Sequence, residues 1–390
     1  MIADRLIARL VETRWQVSAT VMDPPGAPTP TEARNAWRLR RVVAKHGGLI
    51  LLSLIALGGA LRVYGIASVW VGLDEKITMD LCQAPWVAFR HAMWVREMNM
   101  VGYYSLVRLW LLLGWKLGYK LTFVRGLSAL FSVATLPVVY ALGKKLFNEH
   151  VGLLAVGLLS INAYHIKYAQ SARSYSLFVF LVTLATLLLV RNVHEENPKW
   201  NAYVCVWILA VYTHVFAFLF LAAHLILMLY LGVRPRVWHF VGLIIGALPM
   251  AVWTVTHRDL PLEWVRPTTI GSVAELFVVL VGDYGFVLVF VVAVALLPVF
   301  RDFVRETKEK RLGFDLLVIW ALAPILLAIL ASLIQPCFFP RYLIPCLPAT
   351  TLLTAASIER YKRLPAIALT VLIVFGMLMG RLMDYGMIGA

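Results

Sequence analysis

The chain has 390 residues, 61% hydrophobic and 15% charged, with a mean hydropathy of +0.80 and a formal net charge of +15 at pH 7. Soluble chains average about half apolar and about a quarter charged, so composition excludes a soluble globular protein and indicates a polytopic helical membrane protein, all-α in class. The positive charge does not point to nucleic acid, because the bases lie in short clusters between apolar runs, where they act as topology signals.

Residues 1–46 read as a cytoplasmic tail. The opening MIADRLIARLVETRW carries charges through its first turns, unlike a cleaved signal peptide. Ile2, Leu6 and Leu10 recur at i, i+4, so this stretch is either a helix on the membrane surface or a partly ordered tail. PPGAPTP, residues 24–30, breaks any helix and reads as a linker.

Residues 47–390 form one transmembrane module. Apolar runs of roughly 16–25 residues predict about eleven spans, starting near residues 47, 121, 150, 173, 200, 214, 238, 284, 313, 342 and 364. The ambiguous segment is VGYYSLVRLWLLLGWKLG, residues 101–118. As a span it would hold Arg108 near mid-membrane, at about 2.5–3.5 kcal/mol on insertion scales. It would also move Lys144 and Lys145, Arg191 with Lys199, Arg234 with Arg236, and the clusters at 301–311 and 360–363 to the outside, against the positive-inside rule. The segment is therefore expected to lie on the outer membrane face, with Arg108 and Lys116 snorkelling. Tyr and Trp near the ends of apolar runs, Trp86 among them, serve as interfacial anchors, and Arg62 in LRVYG is read as another anchor. Four cysteines without CxxC or Cys/His spacing indicate neither a zinc site nor a disulfide framework.

This topology gathers the unusual residues at one interface. The outer loop 65–120 carries Asp74, Glu75, Lys76, Asp80, His91, Glu97 and Asn99; later come NAYHIKYAQSARSY (residues 162–175), His214 in YTHVF, HRDLPLEWVRP (residues 257–267) and FFPRYLIP (residues 338–345). A transporter would bury ionisable groups at the midplane of interrupted, repeated helices. Their convergence at an interface suits chemistry between a lipid-borne and a water-borne substrate. Arg341, walled by aromatics and prolines, does not read as an exposed anchor, whereas Trp264 has two readings, interfacial anchor or sugar platform.

LRVYG, GLDE, REMNMVGYYSLVRLWLLLG, FVRGLSAL, INAYHIKYAQSARSYSL, YTHVF, EWVRP and PRYLIP follow one another in an order that resembles the GT-C membrane glycosyltransferases. The resemblance is to the branch of dolichyl-phosphate-mannose protein mannosyltransferases and bacterial aminoarabinose transferases, over residues 47–357. One departure is Asn99-Met100-Val101-Gly102, where relatives often carry His-Pro-Pro or Asn-Pro. Another is the absence of an appended soluble domain after the last span, so any acceptor-recognition module is expected to be either missing or supplied by a separate subunit.

The resemblance implies transfer of one sugar from a polyprenyl-phosphate carrier to a hydroxyl on a protein, lipid or glycan acceptor, at the extracytoplasmic face of the cytoplasmic membrane. It implies Asp74 as general base with Glu75 beside it, and inversion at the anomeric carbon. Arg125, Arg173, Arg341 and Lys76 are the cations for the donor phosphate. Glu97, Asn99, His165, Tyr168, Gln170, Tyr175, His214, Trp264 and Tyr342 are the substrate-binding candidates. Arginines suffice for a monophosphate leaving group, so no cofactor is required; a divalent metal held by Asp74, Glu75, Asp80, His91 and Glu97 is the alternative, without a metal-ligand motif behind it. Two rivals share the outer-face geometry: a lipid-linked oligosaccharide transferase or polymer ligase, and a non-enzymatic lipid-glycan transporter.

Overall fold

The computed structural model describes residues 30–114, 120–195, 197–233, 235–257, 267–282, 285–298, 301 and 308–384, and its regular structure in these residues is entirely helical. The surface-helix reading of the first residues lies outside them. Helix α1, Pro30–Val63, opens on the last proline of the linker, where a missing N–H costs nothing. Helical structure therefore begins 17 residues before the expected first span. It stops at Gly65, whose φ of 69° is the left-handed conformation that glycine adopts without steric penalty.

The loop that follows is itself helical. α2, Leu73–Gln83, places Asp74 and Glu75 in its first turn, where carboxylates complement the helix dipole. α3, Trp86–Ala92, runs through a π-helical turn (Met93–Glu97) and a 3₁₀ turn (Met98–Met100) into α4, Val101–Gly114. α4 buries Tyr103, Tyr104, Val107 and Leu111 while Leu109, Leu112 and Leu113 point outward. Gly102 lets it close on its neighbour, since a Cβ there would sit 2.8 Å from the Tyr212 carbonyl oxygen. Arg108 does not snorkel. Its Nη1 donates to the carbonyl oxygens of Leu81, Cys82 and Ala84, at 3.4, 3.2 and 2.7 Å, and so caps the C-terminus of α2. Its guanidinium also lies 4.6 Å from the Phe89 ring centre. Lys116 lies outside the described residues.

The bundle consists of α5 (Leu121–Leu146), α6 (Glu149–Ile161), the short α7 (Ala163–Ala169), α8 (Tyr175–His194), α9 (Trp200–Thr213), α10 (Ala217–Leu231), α11 (Val237–Thr256), α12 (Ile270–Val281), α13 (Gly285–Ala295), α14 (Lys308–Ser332), α15 (Leu347–Ile358) and α16 (Arg363–Asp384). Apart from α1, which starts earlier, a helix begins at or near each expected span start, and α12 was not expected. Among the described residues, five helical stretches are long and apolar enough to cross a membrane unaided: 45–63, 121–146, 175–193, 237–256 and 312–332. Others are shorter, so length alone does not return the count of eleven.

α5 packs against α1, α6 and α8 at the centre. A second, smaller core joins α6, α13 and α16 through Leu158, Leu288, Val292 and Ile373. Ile244, Ile245, Leu248 and Val252 face outward along α11, as lipid contact requires. Lys144, Glu149 and Glu359 gather at one end of the bundle, linked through Lys144–Glu149 and Asn148–Glu359. The start of α5, the start of α8 and the turn between α9 and α10 meet at the other end.

Candidate active site

The two adjacent carboxylates of α2 have different surroundings. Glu75 is buried and receives Arg125 from the first turns of α5 in a two-pronged pair, Nε to Oε1 at 2.9 Å and Nη2 to Oε2 at 2.6 Å. Its Oε1 also accepts the Ala172 backbone N–H at 2.6 Å. The remaining Arg125 bonds go to the carbonyl oxygens of Ile66, Val69 and Trp70, at 2.8, 3.0 and 3.2 Å. Five bonds match the five N–H donors of a guanidinium, and Arg125 is 1% exposed. No N–H of Arg125 remains for a donor phosphate, contrary to the sequence expectation, and Glu75 has become the partner of a buried cation.

Asp74 is half-buried, and its carboxylate looks away from that clamp. Its Oδ2 lies 3.6 Å from Arg341 Nη1, with the two side chains 42% and 28% exposed. Arg341 stands on the 3₁₀ turn Pro340–Cys346, its guanidinium 4.9 Å from the Phe339 ring centre and 5.4 Å from that of Tyr342. Arg173, just before α8, approaches from the other side. Its Nη1 donates to the Asp74 carbonyl oxygen at 3.2 Å and to the Tyr104 hydroxyl at 3.1 Å. Its Nε is buried without a hydrogen-bond partner. The Tyr104 hydroxyl in turn donates to Glu97 Oε2 at 3.0 Å. Glu97 ends the π-helical turn, a geometry that recurs at functional sites. Burial pushes its carboxyl up, with Asp74 adding to the rise, while Tyr104, Arg173 and Arg96 oppose it.

An aromatic wall adjoins the two arginines. Tyr168 packs on Tyr175 with ring centres 4.7 Å apart, His214 on Tyr342 at 5.0 Å, and Phe216 on Tyr342 at 4.8 Å. His214 fills the break between α9 and α10, where its Nδ1 accepts the Phe216 N–H at 3.2 Å. Burial, with Arg173 and Arg341 nearby, pushes the imidazole down to about 3, so it is neutral at pH 7 and adds no cation.

His165 and Gln170 belong elsewhere. Arg62 is fully buried and is not an interfacial anchor: its Nε donates to Ser132 Oγ at 2.7 Å, Nη1 to the Gly58 and Ser160 carbonyls, and Nη2 to the Leu159 carbonyl. Nη2 also reaches His165 Nδ1 at 2.7 Å. Burial first, then Arg62, holds His165 well below its ordinary range, so the ring accepts from the guanidinium. Gln170 Nε2 donates to the carbonyls of Leu61, Arg62 and Tyr64 at the end of α1. Both residues thus fasten α1 to α5–α7 and do not face Asp74. The C-terminal carbonyls of α1 and α6 carry the negative end of their helix dipoles, which is what a buried guanidinium requires.

Lys76 is exposed on α2, and Asn99 is half-buried, with its Oδ1 lacking a partner. Trp264 lies outside the described residues. With Glu75 committed to Arg125, the five-residue metal set is broken, and among the described residues no three His, Cys, Asp or Glu side chains converge as a metal site. Sequence reasoning missed Tyr104 and the clamp around Arg62. The signals were present: Tyr104 follows Glu97 by seven residues, two helical turns, and Arg62 precedes a glycine that ends its helix.

Residues 105–256 match the family model described as dolichyl-phosphate-mannose-protein mannosyltransferase, a stretch that contains Arg125, Arg173 and His214 but neither Asp74 nor Arg341. Among solved structures, ArnT from Cupriavidus metallidurans bound to undecaprenyl phosphate superposes with a TM-score of 0.55 at 15% identity, covering 81% of this chain and 61% of that one. The apo state of that protein gives a TM-score of 0.51 at 13% identity, covering 85% and 61%. The archaeal oligosaccharyltransferase AglB from Archaeoglobus fulgidus, in complex with an inhibitory peptide and a dolichol-phosphate, gives 0.53 at 12% identity, covering 88% and 56%. The chain therefore spans 56–61% of the length of these structures. A search of curated proteins gives no match. Helical architecture, superposition and family model agree: this is a protein of the GT-C membrane-glycosyltransferase fold, resembling the mannosyltransferase and aminoarabinose-transferase branch.

Proposed function

We propose that the chain transfers a single sugar from a polyprenyl-phosphate carrier to a hydroxyl acceptor at the extracytoplasmic face of the cytoplasmic membrane. The observation that carries this reading is the placement of Asp74 between two arginines, Arg341 at 3.6 Å from its carboxylate and Arg173 on its carbonyl oxygen, within a GT-C fold. Undecaprenyl phosphate and dolichol-phosphate, the lipids in the two similar structures, share the phosphate that such a pair of guanidiniums would bind. The face is supported by charge: Lys144 and Lys145, expected inside, end the helix that carries Arg125 near its start.

In this reading the donor phosphate engages Arg173 and Arg341, and the isoprenoid tail lies along the bundle. The phosphate draws Arg341 from Asp74, which leaves the carboxylate free to face the acceptor hydroxyl. Asp74 takes the proton of the acceptor hydroxyl as its oxygen attacks the anomeric carbon. The bond from that carbon to the phosphate oxygen breaks, its electron pair leaves with polyprenyl phosphate, and the anomeric centre inverts. The arginines offset the charge that develops on the leaving oxygen, the larger catalytic contribution in such transfers. Glu75 and Arg125 hold the start of α2 in place and do not touch substrate.

The test is incubation of the purified protein with defined polyprenyl-phosphate sugars. Release of polyprenyl phosphate with transfer of one sugar is expected, and an intact donor under all conditions would instead favour the transporter. Transfer of a whole glycan block, read by product mass, would favour the oligosaccharide transferase. The face is checked separately: a cysteine at Asp80 should react with an impermeant maleimide in intact cells, and one at Lys144 should not.

A further inference from the structure

Tyr104 is 0% exposed, yet its hydroxyl stands between two charged groups, Arg173 and Glu97. It has one proton, directed to Glu97 Oε2 at 3.0 Å, and a lone pair that receives Arg173 Nη1 at 3.1 Å. The same Nη1 is held to the Asp74 carbonyl oxygen at 3.2 Å and more loosely to Thr78 Oγ1 at 3.5 Å. Tyr104 is thus the strongest side-chain restraint on Arg173. The phenol itself cannot shift, because α4 packs it into the core beside Tyr103 and Val107, and its own carbonyl oxygen accepts Cys82 Sγ at 3.5 Å. Glu97 reaches it because the π-helical turn ends there.

We propose that Tyr104 is a positioning residue: it fixes the direction of Arg173 beside Asp74, and Glu97 acts only through it, by accepting the phenol proton and so leaving the lone pair for Arg173. The assignment rests on the reading of Arg173 as a phosphate ligand, but its first test does not. Glu97, taken from sequence as a substrate contact, then becomes part of the support for that ligand. A carboxylate directed at substrate would not need a buried phenol between itself and the nearest cation. The arrangement has a chemical purpose, since a guanidinium held on one edge keeps its other edge aimed without searching rotamers as the leaving group gains charge.

Two measurements decide it. The first is the structure of Tyr104→Phe, which keeps the ring and its packing. Arg173 should leave its position beside Asp74; an unmoved Arg173 overturns the proposal, whatever the protein's substrate. The second is a double-mutant cycle in the transfer assay. Tyr104→Phe and Glu97→Ala should each lower kcat about 10- to 100-fold, the range of a hydrogen bond to a charged group, with KM changed less. Together they should lose no more than Tyr104→Phe alone, because they break one chain. Glu97→Gln, which still accepts the phenol proton, should recover most of the loss of Glu97→Ala. Additive losses, or a Gln variant as impaired as Ala, would show that Glu97 acts directly and overturn the assignment. Binding of undecaprenyl phosphate to the wild type separates the two readings: its absence removes the proposed function, and the position of Arg173 in Tyr104→Phe still decides the role of Tyr104.

Discussion

Arg125 and Arg341 both approach the start of α2, the first from α5 and the second from the 3₁₀ turn Pro340–Cys346, and their surroundings differ throughout. Arg125 is buried, spends five bonds on Glu75 and three carbonyls, and sits 2.6 Å from its carboxylate. Arg341 is 28% exposed, stacks on aromatic rings, and stands 3.6 Å from Asp74. A saturated, desolvated ion pair cannot exchange its partner without a large penalty, because either charge left alone would be stranded. A longer, partly solvated pair can. The contrast teaches that arginine near a carboxylate is not by itself a functional signal; the number of donors already spent decides what the residue can do.

The sharpest break of the comparison is at the buried clamp. Removing one partner of such a pair costs about 3–5 kcal/mol, so Glu75→Ala and Arg125→Ala should lower the thermal midpoint strongly or abolish accumulation of folded protein. Arg125→Lys should fare little better, since an ammonium has three donors for the five acceptors. Size-exclusion profiles and thermal melts in detergent check both. A stable, monodisperse Arg125→Lys protein that has lost only lipid-phosphate binding would return Arg125 to the phosphate site.

Asp74→Asn should leave the melt unchanged and reduce turnover by roughly 10²–10⁴, the usual loss for a general base, with donor binding intact. Turnover near wild type would remove Asp74 from the chemistry. Arg341 gives a smaller effect. Arg341→Lys keeps the charge and loses the planar fork, and about a tenfold loss in kcat/KM is expected from one charge-assisted bond. If kcat falls with it, the contact strengthens as the phosphate leaves; if KM alone rises, it only holds the donor. An unchanged Arg341→Ala enzyme would leave Arg341 as an aromatic-stacked surface residue.

The smallest effect is in pH. Burial, reinforced by Asp74, raises Glu97, against Tyr104, Arg173 and Arg96. Native Glu97 thus holds its proton more tightly than the unfolded chain does. Its contribution to stability is present at pH below the ordinary carboxylate range and is lost as pH rises through the raised native value. Activity runs the opposite way, because a protonated Glu97 can donate its own proton to the phenol oxygen and compete with Arg173 for the lone pair. The acid limb of kcat should therefore lie above the ordinary carboxylate range and flatten in Glu97→Gln, as a pH–rate profile would show.

Much of the architecture was legible in sequence because hydrophobic runs and basic clusters obey local rules. The apolar segments declared a membrane bundle, and helices after α1 begin at or near the expected starts. α12 escaped because its 12 residues, Ile270–Val281, fall short of the runs of roughly 16–25 residues read as spans. Sequence order also brought Asp74, Arg173 and Arg341 into one candidate set, and Tyr168, Tyr175, His214 and Tyr342 do adjoin them.

What sequence could not assign was occupancy. Asp74 and Glu75 are adjacent, but consecutive helical residues point about 100° apart, and only the packing of α5 and the turn at Ala172 decides that Glu75 is claimed while Asp74 stays open. Likewise Arg62 reads as a snorkelling anchor until α6 and α7 supply the carbonyls and the imidazole that bury it. Composition and charge pattern, which sum local transfer free energies, determined that this chain is a helical membrane protein. The number of hydrogen bonds each arginine has left for a ligand depends on groups 50 to 98 residues away, and that was settled only by tertiary structure.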